Sequence, residues 1–237
     1  MINAADRSLT RKINSSVILN IIAEKGPISR ADIAKRTGLN PATVSGNVSL
    51  LLEDGIVSES GSGESSGGRK PILLSLNCGA YYCIGVDMGI SKVECAVINL
   101  GGSIVFKTVL RYCAESGAEQ ILSCTEACIM KAIEGCGIDR KLFLGIGVGV
   151  HGLVDSAAGI SIYAPAFNWR NLPLKDMIGK KFDLPVFIEN DVRAMTLGEN
   201  RFGAAAGVDD LVLINVGTGV GSGIMIDGEL YRGATFG

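Results

Sequence analysis

The sequence has no apolar run long enough to cross a lipid bilayer. Its longest near-continuous apolar stretch, residues 142–150, is about half the length that a membrane-spanning helix needs. Residues 1–12 are polar and lack the apolar segment of a secretory signal. We therefore expect a soluble protein that is located in the cytoplasm and does not associate with a membrane.

Aromatic residues and histidine are scarce, and the cysteines lack the spacing of common metal sites. Aromatics form 5% of the chain, and His151 is its only histidine. None of the seven cysteines belongs to a Cys-x-x-Cys pair, and Cys124 with Cys128 could supply at most half a metal site. We predict reduced thiols, as is usual in the cytoplasm, and no bound metal.

Glycine and apolar residues, by contrast, are plentiful. The 237 residues include 32 glycines, and 47% are hydrophobic, so a buried core can form and wholesale disorder is excluded. The length fits one large domain or two modest ones. Residues 1–75 carry nine basic and seven acidic side chains, whereas the remainder carries 13 and 17. A mildly basic start on an acidic body is compatible with a nucleic-acid contact near the amino terminus.

The amino-terminal segment has the spacing of a winged helix-turn-helix. An amphipathic first helix is predicted by a set of apolar residues: Ile13, Val17, Ile18, Ile21 and Ile22. Gly26-Pro27 ends that helix. Ser29, three residues before Asp32, resembles a capping box that starts a second helix over residues 30–37, and Gly38 ends it. Two short helices joined by a tight glycine turn are typical of the motif.

The third predicted helix carries the side chains that would read DNA. Asn40 and Pro41 begin it. Its predicted buried face consists of Val44, Val48, Leu51 and Leu52. Its predicted solvent face consists of Ala42, Thr43, Ser45, Gly46, Asn47 and Ser49. Asparagine can read adenine, and serine or threonine can reach bases or phosphates. We predict DNA contacts through Arg30, Thr43, Ser45 and Asn47. The alternative is a helical packing module with no role on DNA.

A glycine-rich segment after the third helix predicts a β-hairpin wing. Short strands are predicted over residues 56–58 and 72–76, separated by glycine and serine residues over 61–68. Arg69 and Lys70 make the hairpin basic. We predict that both contact DNA, with the Arg69 guanidinium in a narrow minor groove. The alternative is a solvated linker that carries two charges.

From residue 82 onward the pattern is that of an α/β domain. Strands are predicted over residues 84–87, 92–100, 103–111 and 142–150. A helix over about residues 117–133 precedes the last of them. This order is typical of a ribonuclease-H-like unit, whose chemistry collects at the carboxyl ends of the strands. The predicted fold class is therefore α/β, with a winged helix-turn-helix over residues 1–77 and a partial actin-like ATPase domain over residues 78–237.

Residues 147–152 also match Gly-x-Gly-x-x-Gly, a motif of dinucleotide-binding folds. Such a site needs the motif to open a helix after a strand. Residues 153–156 show no helical pattern, so we do not predict a dinucleotide site.

These segments together resemble the ROK family, which groups repressors, open reading frames and sugar kinases. The resemblance rests on the winged head and on the motifs Asp87-Met-Gly-Ile-Ser-Lys92, Gly147-Val-Gly-Val-His-Gly-Leu-Val-Asp155, Asn168-Trp169, Glu189-Asn-Asp191 and Gly217-Thr-Gly219. It extends over essentially the whole chain. The head resembles the regulator branch, which includes relatives of the xylose and N-acetylglucosamine repressors.

The resemblance implies two nucleotide-binding motifs. The first, Asp-x-Gly-Gly-Thr-Lys in the family, corresponds to Asp87, Gly89 and Lys92. Its second glycine is replaced here by Ile90, whose branched side chain would crowd the turn that faces ATP phosphates. The second motif corresponds to Gly217, Thr218 and Gly219. The N–H groups of that loop could cradle phosphate, but a glycine-rich hairpin is the alternative.

The resemblance also implies a sugar site. The family's sugar-binding positions correspond to Asn168, Asn190 and Asp191. A carboxylate accepts from sugar hydroxyls, and an amide both donates and accepts. In a kinase, Asp191 would be the catalytic base that takes the hydroxyl proton. The alternative role for Asp191 is a cap on a helix that starts near Val192, and both roles can hold together.

We expect the chain to be truncated relative to the family. In the family, a Gly-Glu-x-Gly-His stretch, a cysteine-rich zinc motif and the rest of the carboxyl-terminal lobe follow the position of Gly237. Because the sequence contains none of these, we expect no zinc or other cofactor, no complete kinase site and an exposed apolar edge.

We predict a transcriptional repressor of carbohydrate genes, such as those of xylose metabolism, and not an enzyme. It would bind a double-stranded DNA operator as a homodimer or higher oligomer, and its body would sense a small sugar. One alternative is an ATP-dependent sugar kinase with an appended DNA-binding head. Asp191 and the loop that begins at Gly217 favour that alternative, whereas Ile90 and the expected absence of the carboxyl-terminal lobe oppose it. Another alternative is a remnant in which only the head folds stably.

Overall fold

The computed structural model of the protein describes residues 4–63, 70–113 and 117–236. The chain divides into two compact units, residues 1–81 and residues 82–237, which we call the head and the body. Each unit contains its own cluster of buried apolar side chains.

The head contains three helices: α1 (Ala4–Lys25), α2 (Arg30–Thr37) and α3 (Pro41–Glu53). The predicted caps are confirmed. The Ser29 hydroxyl accepts a hydrogen bond from the Asp32 N–H at 3.1 Å, and the Asn40 carboxamide accepts from the Ala42 N–H at 2.8 Å. Gly38 ends α2 with φ of 68°, a conformation that favours glycine.

The core of the head lies between the three helices. Its fully buried members include Ile18, Ile22, Ile33, Val44 and Val48. The predicted buried stripe of α1 is wrong in its first half, because Ile13 and Val17 are exposed. The buried line runs through positions 18 and 22, one helical turn apart, and positions 13 and 17 lie about 100° or more around the helix from it.

The head also contains a three-stranded antiparallel sheet. Its strands are β1 (Ile28–Ser29), β2 (Val57–Ser62) and β3 (Ile72–Leu76), in the order β1-β3-β2. The pairing of β2 with β3 forms the predicted wing, with a register shift between Glu59 and Gly61. The two-residue strand β1 was not predicted. Arg69 lies outside the described residues.

The body is an α/β unit with eleven strands and three α-helices among its described residues. The strands are β4 (Tyr82–Met88), β5 (Lys92–Asn99), β6 (Ile104–Arg111), β7 (Phe143–Val150), β8 (Leu153–Asp155), β9 (Ile160–Ala164), β10 (Trp169–Leu172), β11 (Val186–Asn190), β12 (Leu211–Val216), β13 (Val220–Ile226) and β14 (Glu229–Leu230). The helices are α4 (Ala118–Gly135), α5 (Leu174–Phe182) and α6 (Asp191–Phe202).

A five-stranded mixed sheet forms the centre of the body. Its order is β11-β7-β4-β5-β6, in which β4, β7 and β11 run parallel and β5 is antiparallel to β4. This arrangement confirms the predicted ribonuclease-H-like unit. Strands β8, β9 and β10 form a small antiparallel sheet, and β12, β13 and β14 form another.

The body's core lies mainly on the central sheet. Ile84, Ile146 and Ile188 are buried on three neighbouring strands, and Ile129 and Phe182 cover them from helices α4 and α5. Each such side chain contributes roughly 1.5–3 kcal/mol when it is removed from water. The stretch 147–152 leads into β8 and not into a helix, so it lacks the strand-to-helix turn of a dinucleotide site. None of the described helices is long and apolar enough to cross a bilayer.

Candidate functional site

The carboxyl ends of the parallel strands open into a cleft of about 1190 Å³ in the body. Asp87 lies near the end of β4, His151 directly follows β7 and Asp191 directly follows β11, and all three line this cleft. Because parallel strands end at the same edge of a sheet, side chains separated by more than 100 residues come together there.

Asn190 organises the floor of the cleft. Its carboxamide oxygen accepts hydrogen bonds from the N–H groups of Val192 and Arg193, each at 3.0 Å, and so caps α6. Its Nδ2 donates to the Gly152 carbonyl at 3.1 Å. Asn190 is therefore the N-cap of α6, and the Asp191 carboxylate, for which the sequence suggested a capping role, also accepts a hydrogen bond from the Val192 N–H at 2.9 Å. Asp191 is the first helical residue, and its side chain lines the cleft.

The predicted sugar residues are only partly brought together. Asn190 and Asp191 are adjacent in the cleft, but Asn168 is exposed and is not among the residues that line it. Asn168 has φ of 50° and directly follows a short 3-10 turn, Pro165–Phe167. Two residues of that turn, Pro165 and Ala166, line the cleft.

His151 links two loops of the cleft. Its Nε2 accepts a hydrogen bond from the Ala166 N–H at 3.2 Å, and its ring packs edge-on against Phe167 with centroids 4.3 Å apart. Burial lowers the pKa of His151, while the Asp191 carboxylate opposes that shift. The neutral ring carries its proton on Nδ1, which is buried and has no partner among the described residues.

The lysine of the first phosphate motif, Lys92, and the nearby Lys107 are both paired with Glu94. Glu94 accepts hydrogen bonds from both Lys107 and Lys92, and these bonds hold the pKa of the Glu94 carboxyl below its usual value. Lys92 does not line the cleft. Asp87 has a raised pKa, first because it is buried and then because Asp191 and Glu94 repel its charge.

Tyr112 donates two hydrogen bonds to the turn over residues 88–91. Its hydroxyl donates to the Gly89 carbonyl, and its backbone N–H donates to the Ser91 carbonyl at 3.1 Å. Burial raises the pKa of Tyr112 to about 12, so the hydroxyl remains a donor. The Ile90 side chain is 39% exposed and lines the cleft from this turn.

The second phosphate motif is the tip of a hairpin, which is the alternative that the sequence had left open. Strands β12 and β13 pair up to Val216 and Val220, and the Gly217 N–H donates to the Gly219 carbonyl at 2.9 Å. That N–H group is therefore used within the hairpin. Thr218 and Gly219 line the cleft, whereas Gly217 does not.

A network of charged side chains joins the start of α6 to residues 231–236. Arg193 is buried, and its Nε lies 3.3 Å from Glu189 Oε1. Arg232 Nε lies 3.1 Å from Glu189 Oε2, and Arg193 Nη2 donates to the Phe236 carbonyl at 2.8 Å. Glu189 and Arg193 are four residues apart, a spacing that could have indicated their pairing, but no sequence pattern indicated the contacts with Arg232 and Phe236, which lie 43 residues further along the chain.

In the head, the exposed face of α3 is small and polar, as predicted, with one exception. Ala42, Ser45, Gly46 and Ser49 are exposed. Asn47 was predicted to face solvent, and this is wrong, because its exposed fraction is 5%. It lies three residues after Val44 and four before Leu51, on the buried side of the helix, and its Nδ2 donates to the Thr43 carbonyl at 2.8 Å.

The other predicted DNA residues lie at the surface or outside the described chain. Thr43 is half-buried, and Lys70 is exposed. Arg30 is half-buried at the start of α2, 3.8 Å from Glu59 of the wing, a separation that makes only a weak ion pair. Arg69 is not among the described residues, so its predicted contact stays a prediction.

The cysteines and carboxylates of the described residues do not assemble into a metal site. No group of three or more cysteine, histidine, aspartate or glutamate side chains is placed there to hold an ion. All seven cysteines are free, and burial raises the pKa of the Cys95 thiol, which makes it a poor nucleophile.

Relatives of the chain are known for both units. A model of winged helix-turn-helix DNA-binding domains matches residues 14–58. The xylose repressor of Caldicellulosiruptor bescii is 37% identical over 229 residues, which are 97% of this chain and 57% of that repressor. The chain thus spans little more than half the length of this relative.

Solved structures resemble the chain in the same way. A ROK family transcriptional regulator described as a homologue of the E. coli MLC protein superposes with a TM-score of 0.81 at 30% identity, over 96% of this chain and 57% of that one. A ROK family glucokinase from Streptomyces griseus, solved with glucose and AMPPNP, has a TM-score of 0.60 at 37% identity, over 65% of this chain and 47% of that one. The model of the ROK family itself matches residues 83–237, which is more than half of the sequence, and the chain therefore belongs to the ROK family.

Proposed function

We propose that the protein is a sugar-responsive, DNA-binding transcriptional repressor of carbohydrate-metabolism genes. The observation that carries this proposal is the combination of a winged helix-turn-helix with a cleft that contains Asp191 but has Ile90 in place of a glycine in its first phosphate motif. The similarity to a xylose repressor supports xylose metabolism as the process that it controls. A regulator of this kind acts in the cytoplasm, where the operator is.

We assign DNA binding to residues 1–77. Helix α3 would enter the major groove with Ser45 exposed and Thr43 at its edge, because small polar side chains can approach bases without a clash. Arg30, Arg69 and Lys70 would contact phosphates or the minor groove. Asn47 is a positioning residue for α3 in this proposal, because its amide is not presented to solvent. A homodimer or higher oligomer would match the symmetry of a palindromic operator.

We assign sugar binding to residues 78–237. The Asp191 carboxylate would accept hydrogen bonds from sugar hydroxyls, while Asn190 keeps one N–H for the ligand and uses its other groups to hold α6 and Gly152. A sugar that binds one arrangement of the body better than another shifts the population of that arrangement, which is how binding in the cleft would change DNA affinity.

A sugar kinase is the second candidate, and the position of Asp191 is what favours it. The same carboxylate could take the proton of an attacking hydroxyl. Three features oppose phosphoryl transfer: Ile90 replaces a glycine in the first phosphate motif, Glu94 pairs with both nearby lysines, and the Gly217 N–H is used inside its hairpin. We therefore rank phosphoryl transfer below regulation.

The test is filter binding of the full chain to the promoter of its own gene, with xylose, glucose or N-acetylglucosamine added separately. We expect sequence-specific retention that changes with one of these sugars, and that the change disappears in Asp191→Asn. Retention that is absent, or that no sugar alters, contradicts the proposal. ADP release with any of the sugars, lost in Asp191→Asn, would establish the kinase instead.

A further inference from the structure

We infer that Arg193 is a positioning residue of the proposed sugar site, because it docks residues 231–236 against the first turn of α6, where this segment forms part of the cleft wall. This inference rests on the proposed sugar site at Asp191. It adds a residue that acts through the segment that it holds, and an equilibrium between a docked and a released segment that a bound sugar would shift.

The first observation is that Arg193 is almost completely buried although it is charged. Its side chain is 8% exposed, and that of its partner Glu189 is 13% exposed. Arginine is seldom buried to this extent unless its guanidinium is paired. A buried ion pair adds little stability over apolar residues of the same volume, so the pair is better explained by what else it holds in place.

The second observation is that Arg193 bonds to the backbone of a distant segment. The described residues after β14, 231–236, form neither helix nor strand. The Tyr231 N–H donates to the Ile224 carbonyl at 2.8 Å and fixes the start of this segment. Arg193 Nη2 donates to the Phe236 carbonyl at 2.8 Å, and Nη1 donates to the Arg232 carbonyl at 3.5 Å. One planar guanidinium therefore holds two points of the segment's backbone.

The third observation is that Glu189 closes the network from the other side. Its Oε2 lies 3.1 Å from Arg232 Nε, and its Oε1 accepts from the Asn190 N–H at 2.9 Å. Both Asn190 and Asp191, which we assign to the sugar, lie between Glu189 and Arg193 in the sequence. The segment is therefore bonded to the residues on either side of the sugar pair.

The fourth observation is that the docked segment faces the cleft. Tyr231, Arg232 and Phe236 line it, as does Asp191. A sugar that contacts this wall as well as Asp191 binds the docked arrangement better than the released one. Its apparent affinity then falls in proportion to the fraction of molecules in which the segment is docked. Arg193 would set that fraction.

The test of docking is the rate at which trypsin cleaves the full chain after Arg232, followed by mass spectrometry. Trypsin must take the Arg232 side chain away from Glu189, so cleavage reports the released segment. We expect Arg193→Gln to accelerate this cleavage about tenfold, which is the effect of losing roughly one hydrogen bond to a charged group. Cleavage after Lys180, within α5, should not change, because it requires the body itself to unfold.

The test of positioning is isothermal titration calorimetry with xylose, glucose and N-acetylglucosamine. For the sugar that is recognised, we expect Arg193→Gln to bind about tenfold more weakly than the native protein. Arg193→Lys keeps the charge but replaces the fork by one ammonium group, so its effects should be smaller, about threefold. The matched control is Lys131→Gln, which removes an exposed cation on α4 that does not line the cleft, and it should behave like the native protein.

The outcomes separate this inference from the proposed function. Faster cleavage after Arg232 together with weaker sugar binding, in Arg193→Gln and not in Lys131→Gln, supports the inference. Sugar affinity that Arg193→Gln leaves unchanged and Asp191→Asn abolishes overturns it and leaves the sugar site standing. Unchanged cleavage after Arg232, or equal acceleration after Lys180, also overturns it.

Two further outcomes are decisive. If Arg193→Gln does not fold, Arg193→Lys is judged by the same two measurements. If the native protein binds none of the three sugars, the proposed sugar site and the positioning role of Arg193 both fail.

Discussion

The head and the body assemble their polar surfaces by different routes. In the head, one continuous stretch from Ser29 to Glu53 supplies both the caps that define α2 and α3 and the exposed face of α3. In the body, the cleft draws on side chains from Asp87 to Phe236, which meet only because parallel strands end together. The head's surface therefore depends on local sequence, and the body's depends on the integrity of the whole sheet.

The strongest test of whether the two units depend on different parts of the chain is a substitution that creates a cavity in the body's core. Phe182→Ala removes a fully buried ring and should destabilise the body by about 3–5 kcal/mol. The head has its own core, so we expect its unfolding transition to be unchanged. Thermal unfolding followed by circular dichroism, with limited proteolysis, measures both. Loss of the head and body in a single transition would show that the units do not fold separately.

The two asparagine caps, Asn190 in the body and Asn40 in the head, allow a matched comparison in which the expected losses of unfolding free energy are smaller. Asn190→Ala removes two capping bonds and the bond to Gly152, and should cost roughly 2–3 kcal/mol. Asn40→Ala removes one exposed capping bond and should cost about 1 kcal/mol. Urea denaturation of both variants measures the difference. Equal costs would mean that Asn190 does not organise the cleft floor.

Substitutions on α3 should have a still smaller effect, and the quantity that changes is the affinity for the operator. Ser45→Ala should weaken operator binding by about 1 kcal/mol, or roughly fivefold, and leave the free energy of unfolding unchanged, because Ser45 is exposed. Asn47→Ala should leave the preference for one base sequence over another unchanged, because its side chain faces the core. Electrophoretic mobility shifts with the operator and with single-base variants provide the measurement. A changed base preference in Asn47→Ala would contradict the structure.

The smallest expected effect is a dependence of the body's unfolding free energy on pH. The head should lack the histidine component of that dependence. The pKa of His151 is lowered by burial from the ordinary 6.5, so the folded body binds that proton less readily than the unfolded chain. Above pH 6.5 the neutral ring imposes no cost on the folded body. As the pH falls below 6.5, the unfolded chain binds a proton that the folded body binds less readily, so the body becomes less stable. The raised pKa of Asp87 acts in the opposite direction, since its protonation favours the folded state as the pH falls.

The variant His151→Gln isolates the histidine's contribution. The difference in unfolding free energy between the native protein and this variant should diminish as the pH is lowered from 7.5 to 5. The head contains no histidine, so its own transition should not show this component. A difference that stays constant with pH would mean that His151 titrates alike in the folded and unfolded chain.

The sequence predicted the head's architecture well because its signals are local. Ser29, Gly38 and Asn40 lie at helix ends where capping chemistry acts within a few residues. It was wrong for Ile13 and Val17, since five apolar residues on α1 cover more than one face and only tertiary contacts decide which face is buried. It was wrong for Asn47 because a polar residue can occupy a buried position when its amide bonds to the preceding turn.

In the body the strands were predictable, but the contacts of the site were not. Lys92 was assigned to phosphate from its motif position, yet Glu94 lies two residues later on the same face of β5, a spacing that could have indicated the pair. His151, Glu189 and Arg193 were not recognised as cleft residues, because the contacts of His151 with Ala166 and of Glu189 with Arg232 join distant parts of the chain. Asn168 is exposed, has a left-handed backbone conformation and does not line the cleft, none of which the sequence spacing reveals.

The three bonds of Asn190 have a thermodynamic consequence for recognition. Because they immobilise Gly152 and the first turn of α6 before any ligand arrives, the entropic cost of ordering these backbone segments falls on folding and not on association. More of the interaction free energy of a bound sugar then remains available to favour one arrangement of the rest of the body over another.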